Sequence, residues 1–271
     1  MDRRMEKRHI AIVTGADGGI GMEYCRALAR RGYSLVMVSV TETPLREASE
    51  RIVSEWGVVT WPVTMDLTLA KAPGLLVGWL DSTGLMPDVE VLVNNAGIFS
   101  FDFLTETPEK RVDTFVDLHV RSVAQMCRLF GARFAMKGSG YILNMSSMSC
   151  WMPMPGLALY ASTKAFLRVF SRSLALELRD SGVRVMVAAP GGVATSLFGL
   201  PPKLMRLAVG LGVVARPEKF AERAVARLLK GKQQYINGLL NRISIVAVGC
   251  TPTWVRMQVK HRLLDRGIRK P

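Results

Sequence analysis

The chain has 271 residues, and 49% of them are hydrophobic, which supplies a sizeable core and excludes global disorder. The four cysteines are scattered without a CxxC pair or a Cys/His cluster, so we expect no metal site and no disulfide framework, as suits a reducing compartment. The net charge of +14 is uneven: residues 1–199 carry only +2, whereas residues 200–271 hold 15 basic and 3 acidic side chains. This basic tail favours contact with an anionic surface, with simple solubility as the alternative.

Short apolar runs alternate with helical stretches from the N-terminus onward. The N-terminus is basic and then apolar, like a signal peptide, but a glycine-rich segment stands where cleavage would occur, so we interpret it as the first strand. No apolar run reaches the length of about 18 residues that a membrane span needs. Alternation with continuously apolar strands predicts a parallel sheet covered by helices on both faces, an α/β fold in a single domain. The predicted strands are HIAIVTG (9–15), SLVMVSV (34–40), VVTWPVTMDL (58–67), VEVLVNNAG (89–97), YILNMSS (141–147) and VRVMVAAPGG (183–192), with long helices at 109–136 and 157–181.

The first strand ends in the segment TGADGGIG, residues 14–21, which leads directly into the first helix. Glycines in such a turn let the backbone approach a pyrophosphate, whose charge meets the N-terminus of the helix. The strand–turn–helix context favours a dinucleotide site over a plain tight turn.

The tip of the second strand bears on which dinucleotide is bound. Dinucleotide sites often place an acid there to bind the ribose hydroxyls, but this strand ends in the segment from Ser39 to Thr41. The missing acid leaves room for a 2′-phosphate, with the hydroxyls of Ser39 and Thr41 as donors, while Asp17 adds an opposing charge in the glycine turn. We therefore favour NADP(H), with NAD(H) as the alternative.

A tyrosine and a lysine stand four residues apart in YASTK, residues 160–164. Positions i and i+4 share a helix face, so Tyr160 and Lys164 should lie side by side. An ammonium group beside a phenol lowers the pKa of the phenol, which would make Tyr160 an acid useful near neutral pH. The alternative, from these five residues alone, is an ordinary helix surface.

Five motifs occur in one order along the chain: TGADGGIG, NNAG at 94–97, NMSS at 144–147, YASTK, and PGGVAT at 190–195. Over residues 9–200 this set resembles the short-chain dehydrogenase/reductase family. The resemblance implies a Rossmann-like, doubly wound fold with a seven-stranded parallel sheet, and it implies a nicotinamide cofactor.

The resemblance also implies roles for the motif residues. Tyr160 would be the general acid in carbonyl reduction, and Lys164 would lower its pKa and hold the nicotinamide ribose. Ser147, rather than Ser146, would polarise the substrate carbonyl. One position departs from the family, which usually has an asparagine where DLHVRS places His119. Histidine can donate and accept hydrogen bonds, so His119 either joins a modified proton relay or only packs in its helix.

For the cofactor, the resemblance implies a site that follows the ends of the strands. Residues 94–97 would line the adenosine side, and Asp66 would meet the adenine. Thr195 and the backbone of Val193 would hold the carboxamide. The complete expected set is Thr14, Gly15, Asp17, Gly19, Ile20, Gly21, Ser39, Thr41, Asp66, Leu67, Asn94, Ala96, Gly97, Tyr160, Lys164, Pro190, Gly191, Val193 and Thr195.

The segment after Ser147, MSCWMPMPGLAL, is rich in methionine and should border the substrate. We expect Ser147, Trp151 and Met152 to contact the substrate, with ordinary packing or a subunit contact as the alternative for this segment. The variable lid of the family would fall at about 196–216, and its apolar composition favours a hydrophobic ketone: a fatty acyl ketone, a long-chain base precursor or a steroid.

We therefore predict NADPH-dependent reduction of such a ketone to a secondary alcohol. Two alternatives stay open at this point. One is a dehydrogenase of a small polar alcohol or sugar, and the other is a catalytically weak family member that binds cofactor and acts as a sensor or scaffold.

The C-terminal extension, at about 236–271, combines an apolar patch with a basic helix. This combination resembles a peripheral membrane anchor, although it could equally close over the pocket, join subunits or contact an acidic carrier protein. No recognition motif or interleaved aromatic platform points to nucleic acid as a partner. We further expect a homodimer or homotetramer in the cytoplasm, with membrane association as an option.

Overall fold

Parallel strands form the central sheet of the computed structural model, which describes residues 8–193, 214–259 and 261. In chain order the strands are β1 (Ile10–Thr14), β2 (Ser34–Ser39), β3 (Thr60–Thr64), β4 (Val89–Asn94), β5 (Gly140–Met145), β6 (Val183–Ala188), β7 (Gly192–Val193), β8 (Val214–Ala215) and β9 (Gln234–Tyr235). Seven of them pair in the order β3-β2-β1-β4-β5-β6-β9, and β7 pairs separately with β8. The predicted parallel sheet is confirmed, and β9 is a seventh strand too short to stand out as an apolar run.

Helices connect successive strands and cover both faces of the sheet. They are α1 (Gly19–Ala29), α2 (Glu42–Trp56), α3 (Ala72–Ser82), α4 (Glu109–Val116), α5 (Val123–Lys137), α6 (Ala158–Glu177), α7 (Pro217–Leu229), α8 (Leu239–Gly249) and α9 (Thr253–Val259). A π-helical segment, Asp117–Ser122, joins α4 to α5, so the helix predicted at 109–136 runs through but is locally widened. Short 3₁₀ turns lie at Met86–Asp88, Leu104–Glu106 and Met148–Trp151.

Both faces of the sheet are buried, which is why its central strands are apolar at nearly every position. Along β1, Ala11 and Val13 pack into one layer with α1, α2 and α7, whereas Ile10 and Ile12 pack into the other with α3, α5 and α6. All four side chains are fully buried. The edge strand β3 is only partly buried and carries Pro62, which an edge strand tolerates because one side of its backbone has no ladder to complete.

The strand order positions a crevice at the carboxyl edge of the sheet. β1 lies between β2 and β4, so the connection after β1 leads to one half of the sheet and β4 begins the other half. The loops that follow β1 and β4 therefore diverge, and the gap between them is where doubly wound folds bind ligands.

Some expectations concern segments at the limits of the described residues. Thr195 and most of the expected lid, residues 196–213, lie outside them. Of the C-terminal extension, residues 236–259 and 261 are described, and they include α8 and α9. In the part of the chain that the structure describes, no helix is both long and apolar enough to cross a bilayer.

Candidate active site

The turn between β1 and α1 brings backbone segments close together. Gly15 and Gly19 have φ values of +64° and +53°, in the left-handed region that glycine tolerates best. A Cβ on Gly21 would collide with the carbonyl oxygen of Gly15, so only glycine fits there. α1 begins without a side-chain cap, because Gly18 stands at its N-cap position. The free N–H groups of this helix end border an open groove and are available to an anion.

The groove follows the carboxyl edge of the sheet and has two connected parts. The inner part, of about 250 Å³, is lined by Gly15, Asp17–Gly21, Asn95–Ile98, Met145–Ser147, Tyr160, Lys164, Pro190 and Gly191. The outer part, of about 450 Å³, is lined by Gly15, Asp17, Ser39, Val40, Met65–Thr68, Ala96–Ile98, Lys110, Thr114 and Leu118. The shared residues make one elongated groove, which suits a ligand with two halves.

Most of the residues predicted for the cofactor line this groove, but Thr14, Thr41 and Asn94 do not. The Thr14 hydroxyl accepts the backbone N–H groups of Asn95 and Ala96 at 2.9 and 3.0 Å. The Asn94 amide donates to Asn144 Oδ1 at 2.8 Å, behind the groove. Both side chains are buried, so they hold the strand ends in place rather than reach into the groove.

The tip of β2 carries a carboxylate after all, supplied by the glycine turn. The Thr41 hydroxyl donates to Asp17 Oδ2 at 2.6 Å, and Ser39 Oγ lies 3.5 Å from Thr41 Oγ1. Lys110 lines the same part of the groove and brings a positive charge that the sequence analysis did not assign. Opposite charges therefore face the place where a ribose substituent is expected.

Tyr160 and Lys164 lie side by side on α6 and are both about 95% buried. The Lys164 ammonium is 5.7 Å from the centroid of the Tyr160 ring and donates to the carbonyl oxygen of Met145 at 3.0 Å. Ser147 lies two residues after the end of β5, where its Oγ accepts the Ser149 N–H at 3.2 Å. Ser147 lies near enough to Tyr160 to influence its pKa, and all three polar groups meet in the inner groove.

Burial changes the titration of this pair in opposite directions. It raises the pKa of Tyr160 to about 12, against the hydrogen bond from Ser147, which acts to lower it. It lowers the pKa of Lys164 to about 8. The lowered tyrosine pKa expected from the sequence is therefore not a property of this arrangement, because desolvation of the phenolate outweighs its other interactions. The phenol is fully protonated at neutral pH and available as a proton donor.

His119 lies in the π-helical segment and is completely buried. Its Nε2 accepts the backbone N–H of Ile98 at 3.1 Å, so the ring proton must be on Nδ1, which donates to Thr163 Oγ1 at 3.0 Å. The Thr163 hydroxyl donates a hydrogen bond to the carbonyl oxygen of Tyr160 at 2.9 Å. Burial, and then the charge of Lys164, hold the pKa of His119 well below its usual value. Both ring nitrogens therefore have protein partners.

Gly97 allows this histidine to sit beside the lysine. A Cβ at position 97 would lie 2.9 Å from His119 Nε2 and 3.5 Å from Lys164 Nζ. Gly97 therefore leaves room for the His119 ring on one side and for the groove on the other.

An aromatic cluster around Tyr160 was missed by the sequence analysis. Phe99 meets the tyrosine ring edge-on at 5.0 Å, and Phe115 does so at 6.4 Å. Phe115 also meets His119 edge-on at 5.4 Å. The i, i+4 spacing of Phe115 and His119 was a signal that they share a face, but only the packing of α4 against α6 shows that the face points at Tyr160.

Trp151 and Met152, predicted to contact substrate, lie outside the inner groove. They line a different groove of about 500 Å³ on α6, together with Ala158 and Ala161. The Trp151 ring is covered by the Arg168 guanidinium, 4.6 Å from the ring centroid.

Known proteins resemble this chain in sequence and in fold. A family profile described as short chain dehydrogenase matches residues 9–200. A very-long-chain 3-oxoacyl-CoA reductase-B of Danio rerio is 34% identical over 236 residues, which cover 85% of this chain and 71% of that protein. The 17-beta-hydroxysteroid dehydrogenase type 3 of the same fish is 32% identical over 253 residues, 90% of this chain and 78% of that protein. A solved short-chain dehydrogenase from Sphingobium yanoikuyae in complex with NADPH shares the fold, with a TM-score of 0.76 at 24% identity over 94% of this chain and 96% of that chain.

The buried neutral His119 makes stability depend on pH in a defined direction. Below about pH 6.5 the unfolded chain binds a proton on this histidine and the folded chain does not. The free energy of unfolding should therefore fall by about 1.4 kcal/mol for each unit by which the pH is lowered. His119→Asn should lack this component. Urea unfolding of both proteins between about pH 7.5 and 5 isolates it as a difference, and equal pH slopes would contradict the neutral assignment.

Proposed function

Because this chain belongs to the short-chain dehydrogenase family, we propose that it reduces a ketone on a hydrophobic substrate to a secondary alcohol, with NADPH as the preferred cofactor. The observation that carries the proposal is the meeting of Ser147, Tyr160 and Lys164 in one groove with the glycine turn. A proton donor, a second hydroxyl and an ammonium group at the same place are what carbonyl reduction requires of the protein.

The groove fits a nicotinamide dinucleotide on its own geometry. Gly21 leaves no room for a side chain, and the uncapped N-terminus of α1 is suited to a pyrophosphate. The outer part, with Asp66 and Leu67, would hold the adenosine half, and the inner part, with Lys164 and Gly191, would hold the other half. When bound, the cofactor supplies the hydride. Val193 and Thr195 are proposed to complete its site.

The residues of the chain supply the proton and the orientation. Tyr160 donates its phenolic proton to the carbonyl oxygen as that oxygen gains charge. Ser147, which lines the inner groove with Tyr160, donates a hydrogen bond to the same oxygen and fixes its position. The Lys164 ammonium, held by the Met145 carbonyl, stabilises the negative charge that Tyr160 acquires. His119 holds the backbone at Ile98 and leaves the proton transfer to the other groups.

The substrate class is proposed from the relatives and from the apolar groups beside the site. The two curated relatives are named for a 3-oxoacyl-CoA and for a hydroxysteroid, and both names imply a ketone or alcohol on a large apolar body. Phe99, edge-on to Tyr160, and Ile98 and Met145 in the groove lining give an apolar approach to the proton donor. A screen of NADPH oxidation with 3-oxoacyl thioesters, ketosteroids, 3-ketosphinganine and small sugars tests the class; turnover of the sugars alone would contradict it.

The preference for NADPH is proposed from the charges at the tip of β2. Ser39 presents a hydroxyl where an acid would otherwise reject a 2′-phosphate, and Lys110 adds a positive charge to this part of the groove. Asp17 is the opposing charge, and its Oδ2 is already bound by Thr41.

A catalytically weak cofactor-binding role is the second candidate. It is favoured by His119, whose two nitrogens are taken by Ile98 and Thr163, so that no relay through this ring is open. A single turnover with stoichiometric NADPH separates the candidates, because an enzyme completes it and a sensor only binds.

Tyr160→Phe should keep the aromatic packing and lose the proton. We expect normal NADPH binding by fluorescence titration and a fall in turnover of at least about a hundredfold, the low end for general acid catalysis. Tyr141→Phe, which changes a tyrosine on β5 outside the groove, is the matched control and should retain turnover. Near-normal turnover in Tyr160→Phe would remove the assignment.

Ser39→Asp should shift the cofactor preference toward NADH by at least about tenfold, because a carboxylate at the end of β2 repels a 2′-phosphate. Asp17→Asn should shift it the opposite way. The measurement is the ratio of kcat/KM for NADPH and NADH in each protein. A wild type that already uses NADH better would overturn the proposal.

The pKa of Lys164 should appear in the pH dependence of cofactor use. Lys164 is charged below about pH 8 and loses its proton above it, whereas Tyr160 stays protonated throughout, with a pKa of about 12. We expect kcat/KM for NADPH, which reports the free enzyme, to be level at low pH and to fall about tenfold per unit above about pH 8. A profile that stays level to about pH 9.5 would contradict a role for the Lys164 charge.

A further inference from the structure

A basic groove lies at the edge of the sheet opposite β3. It is formed by α7, β9 and the start of α8, and its volume is about 600 Å³. Tyr235 and Leu239 contribute to its walls. Its charged lining consists of Arg223, Arg227, Lys230, Lys232 and Arg242, and no acidic side chain of the described residues contributes to it.

The charges of the basic groove are not neutralised by the protein. Among the described residues, no carboxylate comes within 4.0 Å of its five cationic groups. The nearby acid on α7, Glu222, is bound by Arg31 at 2.5 Å and approached by Arg30 at 3.6 Å, both on the side of α1. Within the groove, Arg227 lies over the Tyr235 ring at 5.2 Å. Five cations that converge without counter-charges favour an external anion.

An apolar stripe continues from the wall of this groove. Leu239, Ile243 and Val246 repeat at i, i+4 and i+7 along α8 and are 72%, 56% and 65% exposed. Trp254 on α9 is 70% exposed. Six of the 17 exposed large apolar side chains in the described residues fall within 239–257, which is a concentration rather than the usual scatter. Leu239 belongs to both features, so charge and apolar surface are contiguous.

We propose that the basic groove and the apolar stripe together dock this protein on an anionic lipid bilayer. The cations would bind phosphate headgroups, and the stripe with Trp254 would lie at the boundary of the headgroups and acyl chains. Helices that present aliphatic and tryptophan side chains beside a basic face suit this boundary. α8 also packs against the turn Met148–Trp151, which follows Ser147, so the docked surface adjoins the candidate active site.

The test is flotation of the full chain with vesicles of phosphatidylcholine, alone or with about 30% phosphatidylglycerol. Wild type should float only with the anionic vesicles and be released as salt shortens the Debye length. Lys230→Glu with Lys232→Glu should lower the bound fraction at least about tenfold, since each cation near the surface strengthens binding about fivefold. Both lysines are exposed, so the exchange leaves the core intact.

Matched variants separate the two parts of the surface. Arg51→Glu with Lys71→Glu makes the same charge change toward the other edge of the sheet, at two exposed positions, and should bind as wild type does. Val246→Ser with Trp254→Ser keeps the charges and removes exposed apolar groups, so binding should weaken severalfold and become more sensitive to salt.

Three results would overturn the proposal. The first is equal flotation with both vesicle types, and the second is equal flotation of the wild type and the Lys230→Glu, Lys232→Glu variant. The third is binding of pyrophosphate in the basic groove, measured by calorimetry, without flotation. That result would make the basic groove a site for a soluble anion. Flotation is scored without turnover, so its failure leaves the proposed reductase activity untouched, and a failure of that activity leaves flotation unchanged.

Discussion

The hydroxyl of Thr14 joins the two halves of the sheet at the point where the strand order reverses. It accepts the N–H groups of Asn95 and Ala96 after β4 and donates to the carbonyl of Val93 at 3.3 Å. These bonds hold the glycine turn on one side of the crevice against the NNAG loop on the other. The close approach of Gly15 to Ala96, and the groove that both residues line, depend on that spacing.

Burial is the second constraint, and it decides the chemistry of the site. The same packing that places Tyr160 between Phe99 and Phe115 removes its hydroxyl from water and keeps it protonated. The same burial lowers the pKa of Lys164. A hydrogen bond to the Met145 carbonyl oxygen orients the Lys164 ammonium group. A proton donor and a moderated cation arise here from desolvation, and no acidic side chain is needed to set them.

The basic side chains of the C-terminal quarter are sorted by the fold rather than spread over it. Glu222 pairs with Arg30 and Arg31, which directly follow α1, and these ion pairs link α7 to that helix end. Arg223 and Arg227 lie on a different side of α7 from Glu222 and line the groove with Tyr235 and the start of α8. Phe220, Ala224 and Leu228 form the face of α7 that packs into the core. Because that face points inward, the charged side chains of the helix are confined to its remaining faces.

The alternation of apolar strands and helices by itself determined the parallel sheet, because strands buried on both faces must be apolar throughout. The ordered motifs likewise indicated the glycine turn and the pairing of Tyr160 with Lys164, since both follow from spacing along one element. Only the tertiary structure decided that Thr14 and Asn94 brace strand ends, that Trp151 lines a separate groove, and that Asp17 reaches Thr41. Likewise, only packing showed that both nitrogens of His119 are taken and that the pKa of Tyr160 is raised. These features depend on contacts between residues far apart in the chain and on the removal of water, which no local pattern of residues records.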